Sequence, residues 1–225
     1  MSGVEPTSGQ GAREAPPAAA MDVLAGRVAE VGGHEVIRVL PTRARRMVGA
    51  WCFADHIGPR YITANDGENI APHPHIGLQT VTWLLQGELV HRDSLGSEQL
   101  IRPGGLNLMT AGGGVAHSEE GVPGWSGSLH GIQLWVAQPD STRDRASAFE
   151  HHEGLPELTF PNVEATVFVG GFAGAESPGE LFPLGFRQAG EHDQAVLPAR
   201  LERQDRPSRA ENKLHCGMLG VRTRR

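Results

Sequence analysis

Lysine is almost missing from this chain: Lys213 stands alone among 225 residues, so arginine carries nearly all the positive charge. Cysteine is equally sparse. Cys52 and Cys216 are the only two and lie far apart, which excludes a disulfide framework and fits a reducing compartment. No apolar run approaches the ~20 residues that a membrane-spanning helix needs. Met1–Ala20 has no apolar core and carries Glu5, Arg13 and Glu14, unlike a secretory signal peptide. A cytoplasmic protein without membrane contact is the expectation. The formal charge of −6 offers no electrostatic reason for direct nucleic-acid binding.

Glycine and proline are abundant, at 30 and 16 residues. They punctuate the chain with turns and leave little room for long helices. Between them lie short β-branched and apolar runs. Strands are expected at Glu35–Leu40, Gln99–Ile101, Leu106–Thr110 and Leu129–Ala137, the last with Ile132, Leu134 and Val136 on one face. Thr80–Leu85 and Leu89–His91 read as a hairpin about Gln86-Gly87. Gly58-Pro59 marks a turn or loop, and the polar stretch Pro139–Glu153 a linker or short helix. Leu158–Phe160 and Ala165–Val169 read as two further strands. The spacing predicts an all-β sandwich or barrel.

Residues 1–20 hold too little apolar surface to offset their ordering entropy and read as disordered. Residues 21–140 are expected to form the first barrel, and 141–199 a second, partial region. In 200–225, seven arginines and Lys213 outweigh Glu202, Asp205 and Glu211; this basic stretch shows no strand period and reads as a disordered tail.

Two short motifs carry the chemistry. His73-Pro74-His75 and His117-Ser118-Glu119 each have i, i+2 spacing, which on a β-strand points both side chains to one face. Taken singly, each residue has an ordinary reading: a solvated loop for His73 and His75, a core position for His117, an exposed carboxylate for Glu119. Two neighbouring strands would instead bring three imidazoles and a carboxylate to one point. That donor set suits Fe, Mn, Ni, Cu or Zn. His91, Arg92 and Asp93 read as a salt-bridge network beside the hairpin. Asp55 reads as a turn cap or, with His56, as a support for a ligand histidine. Gly112–Gly114 would let the backbone approach the site closely.

The run from His73 through Ile76, Gly77, Thr80-Val81-Thr82-Trp83 and Gly87, then His91-Arg92-Asp93-Ser94-Leu95-Gly96, Met109-Thr110-Ala111-Gly112 and His117-Ser118-Glu119, resembles the pirin family of the cupin superfamily. Arg45–Gly49, Phe53–Pro59 and Gly131–Val136 extend the resemblance, which covers about residues 34–140. It implies a cupin-type β-barrel binding one divalent metal, Fe(2+) as the usual assignment, through His73, His75, His117 and Glu119. Mn, Ni, Cu and Zn stay open. The broader cupin pattern places a carboxylate ligand where Gln79 stands; Gln79 is an amide, so the fourth ligand falls to Glu119. Family members carry a full second barrel, and here it is expected to be incomplete or degenerate.

The resemblance further implies flavonol (quercetin) 2,3-dioxygenase activity on a small aromatic substrate, with Glu119 also taking the substrate's hydroxyl proton. Its alternative is a redox-responsive regulatory protein that acts through a protein partner without catalysis. The oligomeric state is not legible.

Overall fold

The computed structural model describes residues 24–64, 69–160, 163–179, 181, 198–200 and 219–223. Among them there is no helix. The first eleven strands are β1 (Arg27–Val31), β2 (His34–Leu40), β3 (Trp51–Ile62), β4 (Asn69–His75), β5 (Leu78–Gln86), β6 (Leu89–Asp93), β7 (Glu98–Ile101), β8 (Leu106–Thr110), β9 (Val115–Gly121), β10 (Gly127–Ala137) and β11 (Ala148–His152). Seven of them form one sheet in the order β1-β2-β3-β10-β5-β8-β11, and four form a second in the order β4-β9-β6-β7. The all-β, cupin-type expectation holds.

The large sheet has two unlike faces because side chains alternate along each strand. Ala54, Leu134, Val81 and Leu108 sit directly opposite one another across β3, β10, β5 and β8. They belong to one apolar cluster that also takes in Leu40, Trp83, Ile132, Val136 and Phe168. Val81, Leu108 and Val136 are fully buried, each stabilising the fold by roughly 1.5–3 kcal/mol relative to exposure. One residue further along, the same strands align Asp55, Gln133, Thr82 and Asn107. This polar row turns toward the small sheet, where Gln133 Nε2 donates to Glu119 at 2.9 Å. Three residues of the next row are Phe53, Trp135 and Thr80; Trp135 lies against His75.

Several local expectations change. Thr80–Leu85 and Leu89–His91 do not pair as a hairpin: β5 lies in the large sheet and β6 in the small one, so Gln86-Gly87 is a corner between sheets. Gly87 makes that corner with φ of 95° against the backbone of Ser128 and Leu129. Gly58-Pro59 is not a turn but lies inside β3, where the register with β10 shifts between Leu129 and Gly131. The stretch read as a linker or helix contains β11, which pairs with β8 from Ala148↔Thr110 to His152↔Leu106. Its polar sequence suits an edge strand, with one side open to water.

Beyond the barrel lie β12 (Glu157–Phe160), β13 (Val163–Val167), β14 (Gly171–Phe172), β15 (Ala175–Glu176), β16 (Pro198–Arg200) and β17 (Leu219–Thr223). β12, β13, β17 and β16 form a four-stranded sheet in that order, and β14 pairs with β15. Trp83 stacks on Phe168 with centroids 4.8 Å apart, joining this region to the first barrel. β17 falls in the stretch read as a tail without strand pattern and departs from that reading. The disorder expected for residues 1–20, and for the rest of 200–225 apart from Arg200, lies outside the described residues. Among the described residues no helix is long and apolar enough to cross a membrane.

Candidate metal centre

β4 and β9 are antiparallel neighbours, and their register sets His73 directly against His117. Strand alternation then places His75 on the same side. The ring centroids are 4.4 Å apart for His73 and His117, 4.9 Å for His73 and His75, and 5.0 Å for His75 and His117. One nitrogen from each ring lies within 4.8 Å of the others, a grouping able to hold a metal ion. His75 Nε2 and His117 Nε2 approach to 3.1 Å. His73 Nδ1 donates to the Ala71 carbonyl at 2.9 Å. Its Nδ1 therefore carries the proton, and Nε2 keeps its lone pair.

The site is built to keep His75 and His117 neutral. Burial, reinforced by the neighbouring His73 ring, pushes His75 down to about 4. Burial, then His73, His75 and His91, push His117 down to about 3 against the opposing pull of Asp93. Metal ligands must be deprotonated, so two of the three rings are ready donors at neutral pH. The donor chemistry fits a divalent transition metal.

Glu119 is 4% exposed, and its Oε1 accepts from Gln133 Nε2 at 2.9 Å. Burial raises it, against hydrogen bonds from Gln133 and Thr82 and the nearby His73. It stands on the same strand face as His117, but the β4–β9 register shifts between Ile70 and His73, so Glu119 lies opposite Ile70. It is not part of the grouping within 4.8 Å that the three histidines form. Behind it is a cavity of about 20 Å³ lined by Asp55, Ile57, Leu89, Leu129 and Gln133 among others, room for a water molecule. Gln79 is turned away, its Nε2 donating to Thr110 Oγ1 at 2.9 Å.

On the other flank His75 meets Trp135 edge-on at 5.1 Å, and Trp135 packs on Phe53 at 4.5 Å. Arg38 lies over the Phe53 ring at 4.9 Å while forming a two-point pair with Asp55 at 2.8 and 2.6 Å. Asp55 is thus neither a turn cap nor a partner of a ligand histidine. His56 points to the opposite sheet face and meets His130, Nε2 to Nε2, at 2.8 Å. The network read at residues 91–93 divides by strand alternation: Arg92 pairs outward with Glu98 and Glu120, while His91 and Asp93 are buried and bonded to each other. Sequence reasoning missed the contact of His91 with His117, Nδ1 to Nδ1 at 3.3 Å. The i, i+2 spacing of His91 and Asp93 was the available signal. The glycine run serves a neighbouring loop more than the site: a Cβ on Gly112, at φ of 51°, would collide with the Arg145 carbonyl oxygen.

Residues 33–136 match the Pirin family model. A Pseudomonas aeruginosa protein named "Putative quercetin 2,3-dioxygenase" is 49% identical over 178 residues, which is 78% of this chain and 56% of that protein. A pirin-like protein of Caulobacter vibrioides is 43% identical over 162 residues, 69% of this chain and 56% of its own length. The crystal structure of quercetin 2,3-dioxygenase from Acinetobacter baumannii superimposes with a TM-score of 0.67 at 48% identity, covering 69% of this chain and 52% of that one. The chain thus spans a little over half the length of the curated relatives it matches. By its barrel, its histidine cluster and these likenesses, the stretch from 33 to 136 is a Pirin domain.

Proposed function

We propose that this protein is a metal-dependent pirin that oxidises a flavonol-like aromatic substrate with dioxygen, its metal held by His73, His75, His117 and Glu119, with Fe(2+) as the working ion. The observation that carries the reading is the convergence of three buried or half-buried imidazoles beside a buried carboxylate. Relatives named quercetin 2,3-dioxygenase support a flavonol-like substrate class. A bound redox-active metal would supply Lewis acidity toward the substrate oxygen and electron exchange with dioxygen.

The chain's own residues prepare that chemistry. His73 presents a bare Nε2 atom. Trp135 and Phe53 form an aromatic wall beside His75, suited to a flat ring system. Gln133 and Thr82 hold the Glu119 carboxylate by hydrogen bonds, and that carboxylate would accept the substrate's hydroxyl proton. Its burial makes it a stronger base than a solvated carboxylate. The approach for a substrate is from the half-exposed His73 side, since the cavity behind Glu119 holds no more than a water molecule.

The test is elemental analysis of protein purified without oxygen and loaded with Fe(II), followed by quercetin-dependent oxygen uptake. About one iron per chain is expected, lost in His117→Ala, with oxygen uptake lost in both His117→Ala and Glu119→Gln. A folded wild-type protein that binds no metal, or a His117→Ala protein with full activity, overturns the reading.

A further inference from the structure

We infer that His91 and Asp93 are positioning residues that set the tautomer of His117 and so decide which of its ring nitrogens is free for a metal ion. The inference rests on reading the histidine triad as the metal site, but its central observable is a property of the metal-free protein.

The chain of donors starts at Asp93. In the β6–β9 register Asp93 lies opposite His117, and His91 opposite Glu119. Asp93 Oδ1 accepts two backbone N–H bonds, from Leu95 and Ser97, both at 2.9 Å. Its other oxygen, Oδ2, faces His91 Nε2 at 3.1 Å. A carboxylate only accepts, so the proton of that bond belongs to His91 Nε2. The neutral His91 ring then has a bare Nδ1. That atom faces His117 Nδ1 at 3.3 Å, which is a hydrogen bond only if His117 Nδ1 carries the proton. His117 Nε2 is left with its lone pair, and it is the atom that meets His75 Nε2 at 3.1 Å.

The relay is held rigidly. Asp93 has no side-chain exposure and His91 is 3% exposed. Phe149 stacks on the His91 ring at 4.2 Å and 16°. β11 contributes that ring, which gives the polar edge strand a part in the site. His73 reaches the same end more simply, through the Ala71 carbonyl. Two of the three donors therefore have their tautomer chosen by an acceptor built into the fold, as supporting partners of metal ligands do.

The conservative substitution Asp93→Asn tests the direction of the relay. The asparagine oxygen can still accept from Leu95 and Ser97, while its amide donates to His91 Nε2. His91 Nδ1 then becomes the donor, His117 Nδ1 the acceptor, and His117 Nε2 is blocked by a proton. Long-range proton–nitrogen NMR on metal-free protein at pH 8 reads the tautomers directly. In the wild type His91 is expected as the Nε2–H form and His117 as the Nδ1–H form; in Asp93→Asn both invert. Co(II) titration is expected to show affinity weakened by about 10–100-fold in the variant. A wild-type His117 in the Nε2–H form overturns the inference, as does a folded Asp93→Asn protein that binds Co(II) as tightly as the wild type. Should the variant not fold, the wild-type spectrum decides alone. A wild type that binds no Co(II) removes the metal reading, and the same spectrum still decides the relay.

Discussion

His73 and His117 face each other across the β4–β9 pair with ring centroids 4.4 Å apart. This cross-strand pair is the hinge of the site, because His75 follows from it by strand alternation. Truncating His73 should weaken metal binding, whereas replacing the Gln79 amide should not. His73→Ala is expected to lose stoichiometric Fe(II), while Gln79→Leu, remote from the three rings, retains it. Elemental analysis of both proteins, with circular dichroism to confirm the fold, checks the contrast.

Arg38 and Asp55 make a two-point ion pair in which Asp55 is 4% exposed. Removing the guanidinium leaves a buried carboxylate without its counter-charge, whereas removing both partners does not. Arg38→Ala is expected to destabilise the fold by about 3–5 kcal/mol. Arg38→Met with Asp55→Leu should recover most of that loss, which denaturant midpoints at pH 7 would reveal.

Acid should loosen the protein from the opposite face of the large sheet. Burial, with His130 beside it, pushes His56 from 6.5 down to about 4. Below pH 6.5 the unfolded chain takes up a proton that the folded one refuses, so the unfolded state binds more protons and stability falls as pH drops toward 4. His75 and His117 act in the same direction. The His56 contribution is no more than about 3 kcal/mol. The midpoint of urea unfolding should be steady above pH 7 and fall between pH 6 and pH 4, with a shallower fall in His56→Gln.

Gly112 combines φ of 51° with a Cβ position that runs into the Arg145 carbonyl. Alanine there faces both a left-handed backbone and a backbone collision that no side-chain motion relieves. Gly112→Ala is expected to cost more than about 1 kcal/mol, while Gly96→Ala, also at positive φ but with nothing within 4 Å, costs less. Thermal unfolding of the pair separates crowding from strain.

Much of the barrel was readable because strands announce themselves by composition and by their glycine and proline boundaries. β8 and β10 fell where the runs Leu106–Thr110 and Leu129–Ala137 placed them. β11 was not readable: Ala148–His152 is polar because it is an edge strand, and edge strands lack the apolar alternation that marks their neighbours. The β5–β6 corner was misread for a related reason. Two β-rich runs around a glycine look alike whether they fold back on each other or cross from one sheet to another, and only the partners β8, β9 and β10 decide between these.

By itself the sequence determined which side chains share a strand face, since alternation is a local property of an extended backbone. His73 with His75 and His117 with Glu119 were paired in that way. Tertiary structure alone decided which pairs meet. The β4–β9 register set His73 against His117, and its shift between Ile70 and His73 carried Glu119 inward to Gln133. The β6–β9 register brought His91 to His117. Register depends on burial summed over both sheets, a quantity that no short motif contains.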